Sequence, residues 1–516
     1  MEPQNPPIYD SAQPQPDKMH QIVHEAEVVE GVHLQRFEFV PEAEQIAPPS
    51  EWEQAVEVAK LLHKYNHEAV IIGGAVRDLL MHQHPKDYDL ATSAGEKDIE
   101  ALFEKTKTPD TSQAYGVSRV IIDGVELEVA TYRQDLDAHL GRQATQVNTE
   151  GVTLEQDLQR RDFTINAIAL DPAYGIGYYI GESLNDLKNK LIRFVGEPRE
   201  RIQEDPLRIL RAVRFKNRFG FEYELKTHQA LKDAVAEGGL DSIPGERLRG
   251  ELTAMLRTAQ SRRECLEDLD ELGILDRILP ELTAGKGVEQ GSKYHAEGDV
   301  WTHQLLIMEA LPPDASEELL WATLLHDIGK PGTQRATEDP NYFKFYGHPE
   351  LGEKMAEGIL NRLKFSNKQK ANIKWMIKWH INVGQLPNFG GQARTRMFNH
   401  PAFADLLELH RADGIASHSA VATEKEKGKK PNFDKIVAMW EAHQLLPPEA
   451  QNPSISRDLG VDGVVIKDLI PEFKKSDEPL IGRIKDRLEK LFADGKITTR
   501  DQAIEIAQQM IAKRRK

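Results

Sequence analysis

"IIGGAVRDLLMHQHPKDYDLATSA", residues 71–94, decides how this chain is read. An apolar run ends in two glycines, an arginine follows, and two aspartates stand one residue apart. Residues 69–72 have the character of a short buried strand closed by Gly73 and Gly74. Residues 75–81 then read as a helix opening from the glycine pair. A helix N-terminus presents free N–H groups and partial positive charge, which suits a phosphate. Glycine there lets the backbone approach an anion closely. Asp87 and Asp89 fall in "KDYDLA", which predicts a second strand with both carboxylates on one face. Paired carboxylates repel unless a cation lies between them, and hard oxygen donors suit Mg²⁺ shared with a substrate phosphate. A glycine pair or a D-x-D alone is commonplace. Their succession at this spacing predicts a nucleotide site.

At 516 residues the chain has room for several domains. A net charge of -17 with 40% hydrophobic residues describes an acidic soluble protein. That total does not exclude RNA, because binding depends on local patches. The single Cys265 excludes an intramolecular disulfide and fits a reducing compartment. No apolar run is long enough to span a membrane and no signal-peptide core is evident, so the expected location is cytoplasmic. Residues 1–50 are rich in Pro and Gln and are expected to form a disordered extension. Strand and helix patterns alternate over residues 51–190, and the remainder reads as helical.

"VELEVATYR" (125–133) alternates, with Val125, Leu127 and Val129 on one face and Glu126 and Glu128 on the other. Glu128 is therefore a candidate third carboxylate beside the aspartates. The polar "QDLDAHLGRQATQ" (134–146) suggests a mobile loop over a cleft. In "DLQRRDFTINAIAL" (157–170), Arg160 and Arg161 can meet phosphate and Asp162 a hydroxyl. "QEDPLRILRAVRFKNRFGF" (203–221) reads as one helix, on which Glu204, Asp205 and Arg208 share a face. Cytosine and adenine each show an amino donor beside a ring-nitrogen acceptor, whereas guanine and uracil show the reverse. A carboxylate with a guanidinium could thus accept C and A and refuse G and U. The competing reading of these groups is an ordinary helical ion pair. Arg211, Arg214, Lys216 and Arg218 continue the helix as a basic stripe, and with Arg247 and Arg249 are expected to neutralise RNA phosphates.

These blocks resemble the class II nucleotidyltransferases, the family of bacterial CCA-adding enzymes and poly(A) polymerases. The resemblance is carried by Gly73 to Asp89, "EVATYR" (128–133), "RRDFTINA" (160–167), "EDPLR" (204–208) and "IPGERLRGEL" (243–252). It implies an α+β chain: a palm-like head with a mixed sheet over 51–190, and a helical neck and RNA-binding region over 191–285. It implies Mg²⁺ on Asp87 and Asp89 and base selection by Asp205 and Arg208; Glu128, placed by the strand alternation, joins the aspartates as a candidate catalytic carboxylate. Gly73, Gly74, Arg77, Arg161, Asp162 and Asn166 fall in the nucleotide-binding blocks, and Arg211 and Arg214 extend that set.

Further on, "WTHQLLIMEAL" (301–311), "LLWATLLHDIGKPGT" (319–333) and "LHRADGIASH" (409–418) supply His303, His326, Asp327 and Asp413. This order resembles the HD phosphohydrolase superfamily. It implies a helical HD domain over 286–423, followed by a helical C-terminal region over 424–516. Imidazoles with carboxylates suit a divalent transition metal able to activate water against phosphoesters. "FYGHPELGE" (345–353) and His380 are further candidates. Together the blocks imply template-independent addition of CCA to tRNA from CTP and ATP, with pyrophosphate leaving and Mg²⁺ assisting. Poly(A) synthesis, or addition of CC or A alone, shares the same head motifs. An HD phosphohydrolase whose head only holds RNA is the alternative of another class; the intact D-x-D argues against it.

Overall fold

The computed structural model describes residues 34–41, 49–107, 116–136, 147–291, 298–339, 342–417, 432–447 and, with short gaps, 451–514. The chain divides into two compact units, Met1–Ile278 and Leu279–Lys516.

In the first unit, eight strands form one sheet among the described residues. They are β1 (Leu34–Glu38), β2 (Ala69–Ile72), β3 (Leu90–Thr92), β4 (Thr106–Lys107), β5 (Val117–Ile122), β6 (Val125–Thr131), β7 (Ile168–Asp171) and β8 (Ile176–Ile180). Their order is β1-β8-β7-β2-β3-β6-β5-β4. Only the β3–β6 pair is parallel, so the sheet is mixed. The central strands are apolar on both faces: Val70, Ile71, Leu90, Ala91, Ile168 and Ala169 are all buried. β6 alternates as its sequence predicts, with Leu127 and Val129 buried and Glu126 and Glu128 exposed.

β1 corrects the expected N-terminal boundary. Composition extends disorder to residue 50, but residues 34–38 pair antiparallel with β8. Phe37 lies over Gly177, where a Cβ would come within 2.1 Å of its ring. A distant partner strand with a glycine gap makes this segment a strand, where local composition argues otherwise. The loop expected over 134–146 lies mostly outside the described residues; its ends, Gln134–Asp135 and Val147–Asn148, pair antiparallel.

The helices of this unit that bear on the site are α1 (Pro49–Lys64), α2 (Gly74–Leu80), α3 (Leu154–Gln159), α4 (Pro198–Glu204), α5 (Leu207–Phe219) and α6 (Gly245–Thr258). The single helix expected across 203–221 is two helices. Pro206 lacks an N–H and its ring pushes the preceding residue out of helical conformation. Asp205 accordingly sits at φ -145°, ψ 101°, and its carboxylate accepts a hydrogen bond from Leu207 N at 3.2 Å. Gly220, at φ 65°, then ends α5 in the left-handed conformation that glycine adopts without strain.

The second unit is mainly helical. Here α7 (Val300–Glu309), α8 (Glu317–Leu325), α9 (His348–Arg362), α10 (Asn367–Trp379) and α11 (Phe403–Ala416) pack around one another. Ser316 caps α8 by accepting from Leu319 N at 3.0 Å, with Glu317 and Glu318 favourably placed in the first turn. Every residue from Leu319 to Leu325 is buried, so α8 is apolar all round and forms the centre of the bundle. Further along, Ile455, Ile466, Ile484, Leu488, Ala503 and Ala507 build a separate small helical core. Among the described residues, no helix is long and apolar enough to cross a membrane.

Candidate functional site

The carboxylates of the first unit stand at the start of β3. The regular strand begins at Leu90, one residue later than expected, but Ile72 N already bonds Asp89 O at 3.1 Å. Tyr88 is buried and packs edge-on against Trp52 of α1, ring centroids 5.6 Å apart. With Tyr88 turned inward, Asp87 and Asp89 both face solvent. The parallel register Leu90↔Val129 brings Glu128 beside Asp89. Partial desolvation, then the charges of Asp87 and Glu128, push Asp89 up to about 6, and Arg161 only partly offsets them. The predicted third carboxylate therefore belongs to the cluster. Glu128 also accepts from Arg119 of β5 at 3.2 Å, a partner that sequence reasoning did not identify.

The glycine turn adjoins this cluster. Gly73 has φ 69°, and a Cβ on it would lie 2.8 Å from Nη1 of Arg161. Arg161 is also bonded, at 3.4 Å, to Asp157 of α3, which holds Arg160 at 2.8 Å as well. Nε of Arg161 is buried without a hydrogen-bond partner. Asp157 is the organising residue that sequence reading missed. It is a buried aspartate one helical turn before two arginines, and i,i+3/i,i+4 spacing was the available signal.

Arg77 is not exposed toward a ligand. It is buried, donates to Asp78 at 2.6 and 2.8 Å and to Asn166 at 2.6 Å, and lies 4.5 Å from the Phe219 ring centroid. Asn166 passes the connection to Asp162 at 3.1 Å, and Asp162 is held by Nε of Arg211 at 2.7 Å. Burial alone would raise Asp162, but Arg211 and the Asn166 amide outweigh it and hold the carboxyl at about 2. These four residues form one polar chain linking α2, the segment after α3, and α5.

Asp205 and Arg208 are near in sequence but paired elsewhere. Arg208 donates to Glu204 at 2.5 Å and to the carbonyls of Arg201 and Arg160 at 2.9 and 3.2 Å. Asp205 accepts from Arg247 of α6 at 3.0 Å. The basic stripe is likewise turned to internal carboxylates: Arg211 to Asp162, Arg214 to Glu251, Lys216 to Asp268 and Arg218 to Asp78. Each of these four side chains thus has a carboxylate partner, which a phosphate would have to share or displace.

In the second unit, His303 of α7, His326 and Asp327 at the end of α8, and Asp413 of α11 meet as predicted, all buried. Nε2 of His303 lies 3.3 Å from Asp413, and Nε2 of His326 lies 3.0 Å from Asp327. His348, opening α9, and His380, closing α10, join them: their Nε2 atoms are 3.3 and 3.7 Å from Asp327. Burial raises the cost of charge on Asp327, but His326 and Lys330 outweigh that and hold it well below the carboxylate range. His326 Nε2 and both Asp327 oxygens are buried without a geometric hydrogen-bond partner. Such inward-facing donor atoms fit a divalent metal.

A mixed-sheet head carrying a D-x-D cluster, helices, and a buried His/Asp cluster define a nucleotidyltransferase joined to an HD domain. Residues 69–193 match the poly(A) polymerase head domain, 220–286 the probable RNA and SrmB-binding site of polymerase A, and 299–444 the HD domain. The chain is 34% identical over 392 residues to the A-adding tRNA nucleotidyltransferase of Deinococcus radiodurans, covering 74% of this chain and 84% of that protein. It is 31% identical over 402 residues to the multifunctional CCA protein of Xanthomonas campestris pv. campestris, covering 76% and 93%. Its fold is similar to the crystal structure of the Bacillus stearothermophilus CCA-adding enzyme in complex with CTP. The TM-score is 0.63 at 22% identity, covering 91% of this chain and 98% of that one. The chain belongs to the class II nucleotidyltransferase family of CCA-adding and A-adding enzymes, with an HD domain. Divalent-metal dependence goes with that membership.

Proposed function

We propose that the head adds nucleotides to the 3′ end of tRNA, using CTP and ATP to complete CCA without a nucleic-acid template. The observation that carries this reading is the cluster of Asp87, Asp89 and Glu128 beside the Gly73 turn, with Asp89 raised to about 6 by crowded negative charge. Asp87 and Asp89 would hold Mg²⁺, which when bound relieves that repulsion and polarises the nucleotide α-phosphate. Arg161 supplies positive charge next to the cluster. The Arg77–Asn166–Asp162–Arg211 chain fixes the surrounding backbone, so these residues act as positioning groups. Asp205 and Arg208 would choose the base after exchanging their present partners, Arg247 and Glu204, for it. The reading implies a cytoplasmic enzyme. Its HD site would hold a divalent transition metal on His303, His326, Asp327 and Asp413 and act on phosphoesters.

Addition of A alone is the second reading, supported by the Deinococcus relative's name and its 34% identity. One experiment separates the two. Purified protein is incubated with tRNA ending before CCA, and with tRNA ending in CC, with each labelled nucleotide in turn. Incorporation of C, then A, then arrest is expected. Addition of A only to the CC-ended substrate would replace the lead reading with the second, and a long A ladder would replace both with poly(A) synthesis.

A further inference from the structure

A two-stranded ribbon, Arg335–Ala336 and Phe343–Lys344, leads into α9 beside the buried histidines. Gln334 Nε2 ties its base to Glu289 O at 2.7 Å, and Thr337 Oγ1 closes its turn on Tyr342 O at 2.7 Å. Side chains alternate along a strand, so neighbouring residues here face opposite ways. Phe345 turns inward: its ring lies 6.5 Å from the His348 ring and 5.5 Å from Nζ of buried Lys330. Lys330 in turn pairs with Asp327 of the His/Asp cluster at 2.7 Å. Lys344 and Tyr346 fall on the other face, with Nζ of Lys344 5.5 Å from the Tyr346 ring centroid.

Two features of that outer face point to a ligand. Arg335 stands directly opposite Lys344 in the antiparallel register, so two cations share one face. Like charges so placed repel, and among the described residues neither has a carboxylate partner. An anion between them removes that repulsion. Tyr346 is 70% exposed, a large ring set beside Lys344 and open to water. Cations next to an open aromatic ring suit a single strand of nucleic acid: the charges take a phosphate and the ring takes a base. The face is also close to the buried cluster. Tyr346 is two residues from His348, so their Cα atoms are at most about 7 Å apart.

We infer that Arg335, Lys344 and Tyr346 form an RNA-strand subsite beside the HD cluster, which directs the HD centre to a phosphate at the end of a strand in preference to a free nucleotide. This rests on the phosphoester reading of the HD site. Arg335 and Lys344 hold an internal phosphodiester, and Tyr346 stacks the base next to it. Phe345 is the wall between the two faces, so the base on Tyr346 and the ester at the cluster belong to neighbouring nucleotides. At the cluster, water adds to the terminal phosphorus and the bond to the ribose oxygen breaks. Orthophosphate leaves, and the ribose oxygen takes one of the water's protons.

The test compares two esters on the full chain loaded with Mn²⁺, without nucleoside triphosphates. One is a uridine dinucleotide carrying a terminal phosphate at its 3′ or its 5′ end; the other is the corresponding uridine monophosphate. The parent should favour the dinucleotide by about tenfold in kcat/KM, as expected for one stacked base. Tyr346→Ala and Arg335→Ala should each bring that ratio to about 1, and Tyr346→Phe should keep it. A second readout needs no metal: a 4-thiouridine dinucleotide is irradiated with the metal-free chain, and adducts are mapped by peptide mass spectrometry. An adduct on Arg335, Lys344 or Tyr346 is expected. A parent with no preference for the dinucleotide, or a ratio that Tyr346→Ala leaves unchanged, would overturn the inference while the HD reading stands. Adducts confined to the head would overturn it too, and would leave the two cations to an acidic protein partner. If the parent hydrolyses neither ester, the phosphoester reading of the HD site fails, and the adduct alone decides whether the strand subsite survives it.

Discussion

Asp205 is bonded to Arg247, forty-two residues away at 3.0 Å, and not to Arg208, which holds Glu204 instead. The Pro206 break explains why: it puts Asp205 at the end of one helix and Arg208 inside the next. Both groups are thereby held in charged pairs. On the proposed reading, binding C or A would exchange those pairs for the base edge, whereas G or U would offer donors and acceptors in the wrong order. Arg208→Ala should therefore narrow the preference for CTP and ATP over UTP and GTP. Loss of a charge-assisted contact costs about 1.5–3 kcal/mol, or roughly ten- to a hundredfold in relative kcat/KM. Uniform slowing of all four nucleotides would make Arg208 a helix-stabilising group only.

Asp89 should be a site where activity and stability oppose each other. Partial burial, then the charges of Asp87 and Glu128, push its carboxyl up to about 6, above the ordinary 3.8, so the native state holds that proton more tightly than the unfolded chain. The associated stability is present below 3.8 and is lost as pH rises through about 6. At pH 8 without metal, Asp89→Asn should gain about 1 kcal/mol once the solvent screening of an exposed group is allowed for. Nucleotide addition should vanish in the same variant. Urea midpoints at pH 8 and pH 4 check this: the gain should shrink at the lower pH. An equal gain at both would assign it to something other than charge crowding.

What the sequence disclosed and what it concealed divide by distance along the chain. Gly73, Gly74, Asp87 and Asp89 were legible because a turn, a helix start and a strand parity are local properties. His326-Asp327 was legible for the same reason. The partners were not. Arg77 meets Asn166 across eighty-nine positions, Arg211 meets Asp162 across forty-nine, and Lys330 meets Gln290 across forty. No periodicity encodes such pairs, so the arginines of α5 looked free until the fold supplied their carboxylates. Residues 34–38 looked disordered because the strand they pair with begins only at Ile176.

Arg214 tests the role of that basic stripe. Its Nε donates to Glu251 of α6 at 2.7 Å and its guanidinium lies 4.5 Å from the Phe215 ring centroid. Arg214→Ala should cost about 2 kcal/mol in unfolding free energy, as expected for a partly buried charged hydrogen bond. It should leave the slope of log K against log salt for tRNA binding unchanged. A side chain touching a phosphate would instead reduce that slope by roughly 0.7–0.9. Filter binding over a salt series, beside urea unfolding of the same variant, distinguishes the two.

His326→Ala should separate the chemistry of the two units. His326 Nδ1 donates to Thr323 O at 2.8 Å, which fixes the ring so that Nε2 points at Asp327. Its loss removes one candidate ligand from the His303 side of the cluster. Lys330 Nζ stays 2.7 Å from Asp327 Oδ2 as an ion pair, so the remaining carboxylate is not left uncompensated. Removing even an orienting partner of a metal ligand costs about 10–100-fold in affinity, and removing the ligand itself should cost at least that. Transition-metal content and hydrolysis of a chromogenic phosphodiester should both fall, while incorporation of nucleotides into tRNA proceeds at the wild-type rate. The head carboxylates belong to a unit with its own sheet and core, so the substitution has no reason to disturb them. Equal metal content in variant and wild type, measured with Asp87→Asn and Asp89→Asn in both, would make His326 a buried structural histidine. A parallel loss of tRNA addition would show that the two chemistries are coupled.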